Sequence, residues 1–136
     1  MIVEQIQDSR VNVLASGEGW AWPGALKDIF APKGISLLIA REVGEFVNII
    51  KQNRIHTLII DSDVERYTGL ATVKIIRKDY PRLPCILLSC RANREMLTEA
   101  LHLDVFSVIN KPVDMNILRN QMNKLFVKRY GSHIFS

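Results

Sequence analysis

Cysteine is scarce in this 136-residue chain, with only Cys85 and Cys90 present. Both fall on or just after one predicted strand, where five extended residues hold their Cα atoms roughly 16 Å apart. That separation excludes a disulfide between them. They read as reduced thiols packing like small apolar side chains. No Cys/His spacing suits a zinc site. Of the three histidines, His56 precedes a predicted strand, His102 lies near a helix end and His133 is in the tail, so none is placed as a ligand or phosphodonor. The chain also lacks a Gly-x-Ser-x-Gly elbow and a metalloprotease helix motif, which removes the common hydrolase signatures. No apolar run approaches the ~20 residues of a membrane helix. Residues Met1 to Arg10 lack the basic-then-apolar order of a signal peptide, and the expected location is the cytoplasm.

Neither sign of charge dominates. The net charge is +4, with 48% apolar and 24% charged residues, as in an ordinary globular chain. Basic residues gather on Lys74, Arg77, Lys78 and Arg82, and again on Arg119, Lys124, Lys128 and Arg129. Interleaved with acids and amides, both groups read as solvated helix faces rather than a nucleic-acid surface. A nucleic-acid partner would require binding that collapses with salt.

What is present is alternation. Five short apolar runs, Val11 to Ala15, Ile35 to Ala40, Thr57 to Ile60, Cys85 to Leu88 and Val105 to Ile109, have the form of strands buried on both faces. A one-sided helical stripe follows each of them. The first helix is predicted over Pro23 to Ala31. The second spans Val43 to Asn53, facing inward through Val43, Phe46, Val47 and Ile50. Gly69 to Asp79 buries Leu70, Val73 and Ile76, and Ala92 to Leu103 buries Met96, Leu97, Ala100 and Leu101. The last helix, Val113 to about Arg129, uses Val113, Ile117, Leu118, Met122, Leu125 and Phe126. Strict alternation of strand and helix predicts an α/β fold, a doubly wound parallel sheet covered on both faces. One domain over 1–136 is expected, with a core of 11–129 and a tail of 130–136 that frays or docks one hydrophobic residue.

The strand ends carry the polar residues. Asp61 closes the third run and Ser89 the fourth, while Lys111-Pro112 follows the fifth. Neighbouring parallel strands would bring a carboxylate, a hydroxyl and an ammonium to the sheet edge where such folds bind ligands. Singly each is unremarkable, since an Asp after a strand is commonly a helix cap. The joint spacing carries the signal: Gly69 stands eight positions after Asp61, and Lys111 fifty.

In that order and spacing, from about Val11 to Arg129, the chain resembles the receiver domain of two-component response regulators. The resemblance implies a flavodoxin-like fold with strand order 2-1-3-4-5 and five helices. It implies that Asp61 accepts a phosphoryl group, that Ser89 hydrogen-bonds it and that Lys111 contacts it. It also implies a protein partner: a histidine kinase, a phosphotransfer protein, a downstream target or a second copy. Because no output segment follows the fifth helix, the expected output is protein contact, not enzymatic activity.

The resemblance breaks at the metal. Family members end the first strand with an acidic pair that holds Mg²⁺, but here it ends Leu14-Ala15-Ser16-Gly17. Asp61 and the main-chain carbonyl of Asp63 remain as ligands, and Glu18 is the nearest substitute. Mg²⁺-dependent phosphorylation is therefore expected to be impaired or lost, as in a pseudo-receiver. The alternatives are full phosphorylation using Glu18, or a small-ligand or cofactor binder on the same fold. For the latter, Ser16-Gly17-Glu18 is a poor flavin phosphate loop. Two further departures bear on switching. The family's aromatic position, three before the lysine, is Val108, and Phe106 lies one strand period earlier, on the same predicted face but deeper. Both tryptophans, Trp20 and Trp22, occupy the loop that should have held the metal ligands. They read as covers over the sheet end or as a partner surface. That loop begins with spaced glycines, yet lacks the third glycine and the Gly-Lys-Ser/Thr ending of a nucleotide loop.

Overall fold

The computed structural model describes residues 11–17, 23–63 and 69–133. In chain order these form β1 (Val11–Ser16), α1 (Pro23–Phe30), a short 3₁₀ turn (Ala31–Lys33), β2 (Ile35–Ala40), α2 (Val43–Gln52), β3 (Thr57–Asp61), α3 (Gly69–Asp79), β4 (Cys85–Ser89), α4 (Arg94–His102), β5 (Ser107–Asn110) and α5 (Met115–Tyr130). The strands form one sheet, order β2-β1-β3-β4-β5, and every neighbouring pair is parallel. This is the five-stranded, five-helix flavodoxin-like fold anticipated above.

The apolar runs become strands because helices cover both faces. All five residues of β3 and of β4 are buried. On one face Ala15, Ile59, Ile86 and Leu88 meet Leu26 and Phe30 of α1 and Leu118, Met122, Leu125 and Phe126 of α5. On the other, Leu14, Leu58, Ile60 and Leu87 meet Phe46 and Ile50 of α2, Val73 and Ile76 of α3, and Ala100 of α4. Each such side chain contributes about 1.5–3 kcal/mol when fully buried.

Two helices begin later than their apolar stripes suggest. Asn93 accepts a hydrogen bond from the Met96 amide at 2.8 Å, and Asp114 accepts one from Asn116 at 2.8 Å. These side-chain caps set the first turns of α4 and α5, so Ala92 and Val113 stay outside. At the far end of α5, Gly131 has φ +64° and donates to the Val127 carbonyl. A left-handed glycine there closes the helix at Tyr130, one residue beyond the expected end.

Three expectations are corrected by the packing. Leu97 and Leu101 are 47% and 76% exposed, and Ala100 is the one fully buried residue of α4. Of the residues expected inward, Ala100 and, partly buried, Met96 pack against the core on this face. Ile117 of α5 is likewise 49% exposed. Phe106 does not share a face with Val108: it packs with the α1/α5 core, whereas Val108 packs with the opposite one. The cause is that β5 begins only at Ser107, and a bend at Phe106 breaks the two-residue alternation. Arg77, expected on a solvated face, is half-buried. Its guanidinium donates to the carbonyls of Leu103 at 2.8 Å, Tyr80 at 3.1 Å and Leu83 at 2.5 Å. A planar five-donor head suits such a cluster of carbonyls, and it fastens α3 to the loops on either side of β4 and α4. The two cysteines are unpaired as expected, with Cys85 buried and Cys90 exposed. Among the described residues no helix is long and apolar enough to cross a membrane.

His56 sits at the amino-terminal edge of the sheet, 1% exposed. Its Nδ1 accepts the Asn12 amide at 3.1 Å, which leaves the ring proton on Nε2, buried and without a partner. Tyr130 packs edge-on against the ring and donates its hydroxyl to the His56 carbonyl, while Phe126 stacks nearby. Burial first, and the Arg54 charge second, hold the imidazole below its ordinary pKa of 6.5, against a smaller upward pull from the Asn12 backbone. The unfolded chain therefore takes up a proton near pH 6.5 that the folded chain refuses. Stability present above that pH is lost as pH falls through the window beneath it. Urea midpoints measured between pH 7.5 and 5.5 should fall, and His56→Gln should flatten that slope. An unchanged slope in the variant would show that His56 does not carry it.

Candidate functional site

Parallel strands end at one edge of the sheet, and register decides which side chains meet there. Asp61 of β3 pairs with Leu88 of β4, and Ser89 of β4 with Asn110 of β5. The ladder continues one step further, as the Lys111 amide donates to the Ser89 carbonyl at 3.0 Å. The Lys111–Pro112 peptide that follows is cis. Asp61, Ser89 and Lys111, three residues from distant parts of the chain, thus converge.

Asp61 is 1% exposed. Its Oδ2 accepts the Lys111 ammonium at 2.8 Å, and its Oδ1 accepts the Asp63 amide at 2.8 Å. The second bond is the local turn that Asp side chains make with the backbone two residues on. It turns the Asp63 side chain back toward β4. There Asp63 Oδ2 accepts the Cys90 amide at 2.9 Å and lies 3.2 Å from Lys111 Nζ. Ser89 Oγ approaches Asp63 Oδ1 at 3.5 Å and itself accepts the Arg91 amide at 3.0 Å. Burial pulls the Asp63 carboxyl upward, but the Cys90 and Lys111 contacts outweigh it and hold the group below its usual range. Burial pulls Lys111 downward, but Asp61 and then Asp63 hold the ammonium above its own. The Asp63 carboxylate and the Lys111 ammonium therefore both stay charged at neutral pH.

Two of these residues carry more than their sequence suggested. Asp63 was anticipated only through its main-chain carbonyl, yet its carboxylate is part of the site. An Asp two positions after another at a strand end was the available signal. Ser16, noted only as a residue that is not acidic, is fully buried and its Oγ accepts the Asp61 amide at 3.0 Å. A serine at the end of a buried strand implies such a bond, since buried hydroxyls are almost always paired. Next to it Gly17 has little room: a Cβ there would lie 2.1 Å from Ile39 Cγ2. Gly69 is constrained as well, as a Cβ would meet the Ser62 backbone at 2.9 Å.

Among the described residues no three His, Cys, Asp or Glu side chains are gathered to hold a metal ion. Two carboxylates serve the site, and those of Asp63 are turned to an amide and an ammonium. These residues do not fit Mg²⁺ by themselves, because a hard dication wants several free oxygens. Glu18, Trp20 and Trp22 lie outside the described residues. A cavity of about 790 Å³ opens beside Asp63 between α3 and α4, lined also by Ser89, Cys90, Arg91, Leu70 and Met96. Chemically, a carboxylate is nucleophilic without a base, and an ammonium and a hydroxyl beside it are what an incoming anionic group needs.

Comparison with known proteins bears on the family and the fold. Residues 23–123 match the family described as the response regulator receiver domain. The transcriptional regulatory protein GlrR of Escherichia coli K12 is 26% identical over 99 residues, 71% of this chain and 22% of that protein. The chain thus spans about a fifth of the length of the curated relatives it matches. A response regulator receiver protein from Pseudomonas putida superimposes with a TM-score of 0.77 at 27% identity, covering 85% of this chain and 98% of that one. The chemotaxis protein CheY4 of Vibrio cholerae shares the fold at 18% identity and a TM-score of 0.77, covering 86% and 99%.

The buried pair gives a direct test. Removing Lys111 strands the Asp61 carboxylate, and breaking a buried ion pair costs about 3–5 kcal/mol. Lys111→Met should lower unfolding stability by about that amount in urea titrations, and Asp61→Asn in the same chain should restore most of it. A loss that the second substitution does not relieve would assign the effect to something other than the ion pair.

Proposed function

The chain belongs to the response regulator receiver domain family of two-component signalling, and from that membership we propose a signalling module that works by protein contact, with Asp61 at the phosphoacceptor position and its phosphorylation impaired or lost. Receiver domains are in general non-enzymatic modules that interact with histidine kinases and effector proteins and typically use Mg²⁺ for phosphorylation. The observation that carries the reading is the Asp61–Lys111 pair at 2.8 Å with Ser89 alongside, at the carboxyl edge of the sheet.

In this reading Asp61 Oδ is the nucleophile. Lys111 offsets the added negative charge, and the Ser89 hydroxyl bonds the new oxygens. Asp61 and the Asp63 carbonyl would be left to hold Mg²⁺, with Glu18 as the substitute, and the ion would supply the remaining charge neutralisation. Support for impairment comes from β1, whose end carries Ser16 bonded to the Asp61 amide in place of an acid. Support for output by contact comes from the exposed Leu97 and Leu101 on α4 and Ile117 on α5. Exposed leucines and isoleucine suit a partner protein, whether a histidine kinase, a phosphotransfer protein, a target or a second copy.

Intact-mass analysis after incubation with a small-molecule phosphodonor, with and without Mg²⁺, tests this. Labelling should be at least about tenfold slower than in an ordinary receiver, and Asp61→Asn should abolish whatever remains. A rapid adduct dependent on both Mg²⁺ and Asp61 would overturn the impairment, and would make Glu18 the ligand to substitute next.

A further inference from the structure

Asp63 holds a position that nothing in its family role requires. Its carboxylate receives the Cys90 amide at 2.9 Å, the Lys111 ammonium at 3.2 Å and, at the 3.5 Å limit, the Ser89 hydroxyl. An ammonium, a main-chain amide and a hydroxyl converging from the ends of β4 and β5 are the donors that bind an oxyanion well. Here one carboxylate of the chain itself fills them. The turn that satisfies Asp61 Oδ1 with the Asp63 amide also delivers this side chain to them.

We infer that the Asp63 carboxylate is a built-in occupant of the anion-holding donors beside Asp61, so that a tetrahedral oxyanion such as a phosphoryl group or phosphate settles there only by displacing it. Two effects add. The donors are already engaged, and Lys111 is shared between Asp61 and Asp63. An incoming dianion would also face a carboxylate of the same sign within a few ångströms. The displaced side chain has somewhere to go, since Asp63 lines the cavity between α3 and α4. The absence of an acidic pair on β1 and the presence of this carboxylate thus act in the same direction on phosphoryl occupancy. The identity of the anion rests on the function proposed above. The existence of a self-filled donor set does not.

Titrating the ¹⁵N-labelled full chain with inorganic phosphate, without metal, reads the donor set directly through the amides of Ser89, Cys90 and Lys111. Asp63→Ala should bind phosphate at least about tenfold more tightly than the parent chain, with the largest shifts at Cys90 and Lys111. Asp63→Asn, which keeps size and an acceptor for Cys90 but removes the charge, should gain affinity to a smaller degree, and it serves if the alanine variant folds poorly. Equal affinity in the parent and both variants, or shifts centred away from Cys90 and Lys111, would overturn the inference. Phosphodonor labelling of the same variants separates the two readings. Tighter phosphate with no Asp61 adduct upholds the occupant and removes the phosphoacceptor. An adduct with unchanged phosphate affinity does the reverse.

Discussion

A carboxylate almost wholly removed from water has to be held by partners that do not leave, and Asp61 is held by the Lys111 ammonium at 2.8 Å and the Asp63 amide at 2.8 Å. Much of the carboxyl edge follows from that requirement. The ladder bond from Lys111 to Ser89 sets the height at which the lysine side chain leaves β5. The bond to the Asp63 amide folds the chain after β3 back over β4. Ser16 closes the remaining side by accepting the Asp61 amide. Desolvating such a pair offsets much of its attraction, so its value to the fold lies in being expensive to break rather than in net stability gained.

The opposite edge of the sheet is built on different chemistry. There His56, Phe126 and Tyr130 form a cluster of rings, and Arg77 gathers three carbonyls from two loops. Neither group is near Asp61. The architecture thus separates a rigid, neutral or cation-bonded base from an edge that concentrates negative charge.

Much of this was legible in the sequence, and the parts that were not share a cause. The strands could be read because strands buried on both faces must be apolar throughout, and Asp61, Ser89 and Lys111 because polar residues stand out where such runs stop. Helix boundaries slipped where Asn93 and Asp114 capped a turn that the apolar stripe had already entered. Leu97 and Leu101 were placed inside because a stripe reports which face is apolar, not whether the sheet is wide enough to cover it. Arg77 looked like a surface charge because its partners are carbonyls, which every residue has and no sequence displays. Asp63 was half seen for a similar reason: its role depends on a turn that only the Asp61 side chain explains.

The shallow seating of α4 uncouples its surface from the stability of the fold. A helix whose one fully buried residue is Ala100 contributes little to the core, and substitutions on exposed helical surface usually shift stability by no more than about 0.5 kcal/mol. Its outward positions are therefore close to neutral for folding. A partner surface there can be altered separately from the ion pair at the sheet edge, where the loss of either partner alone is costly.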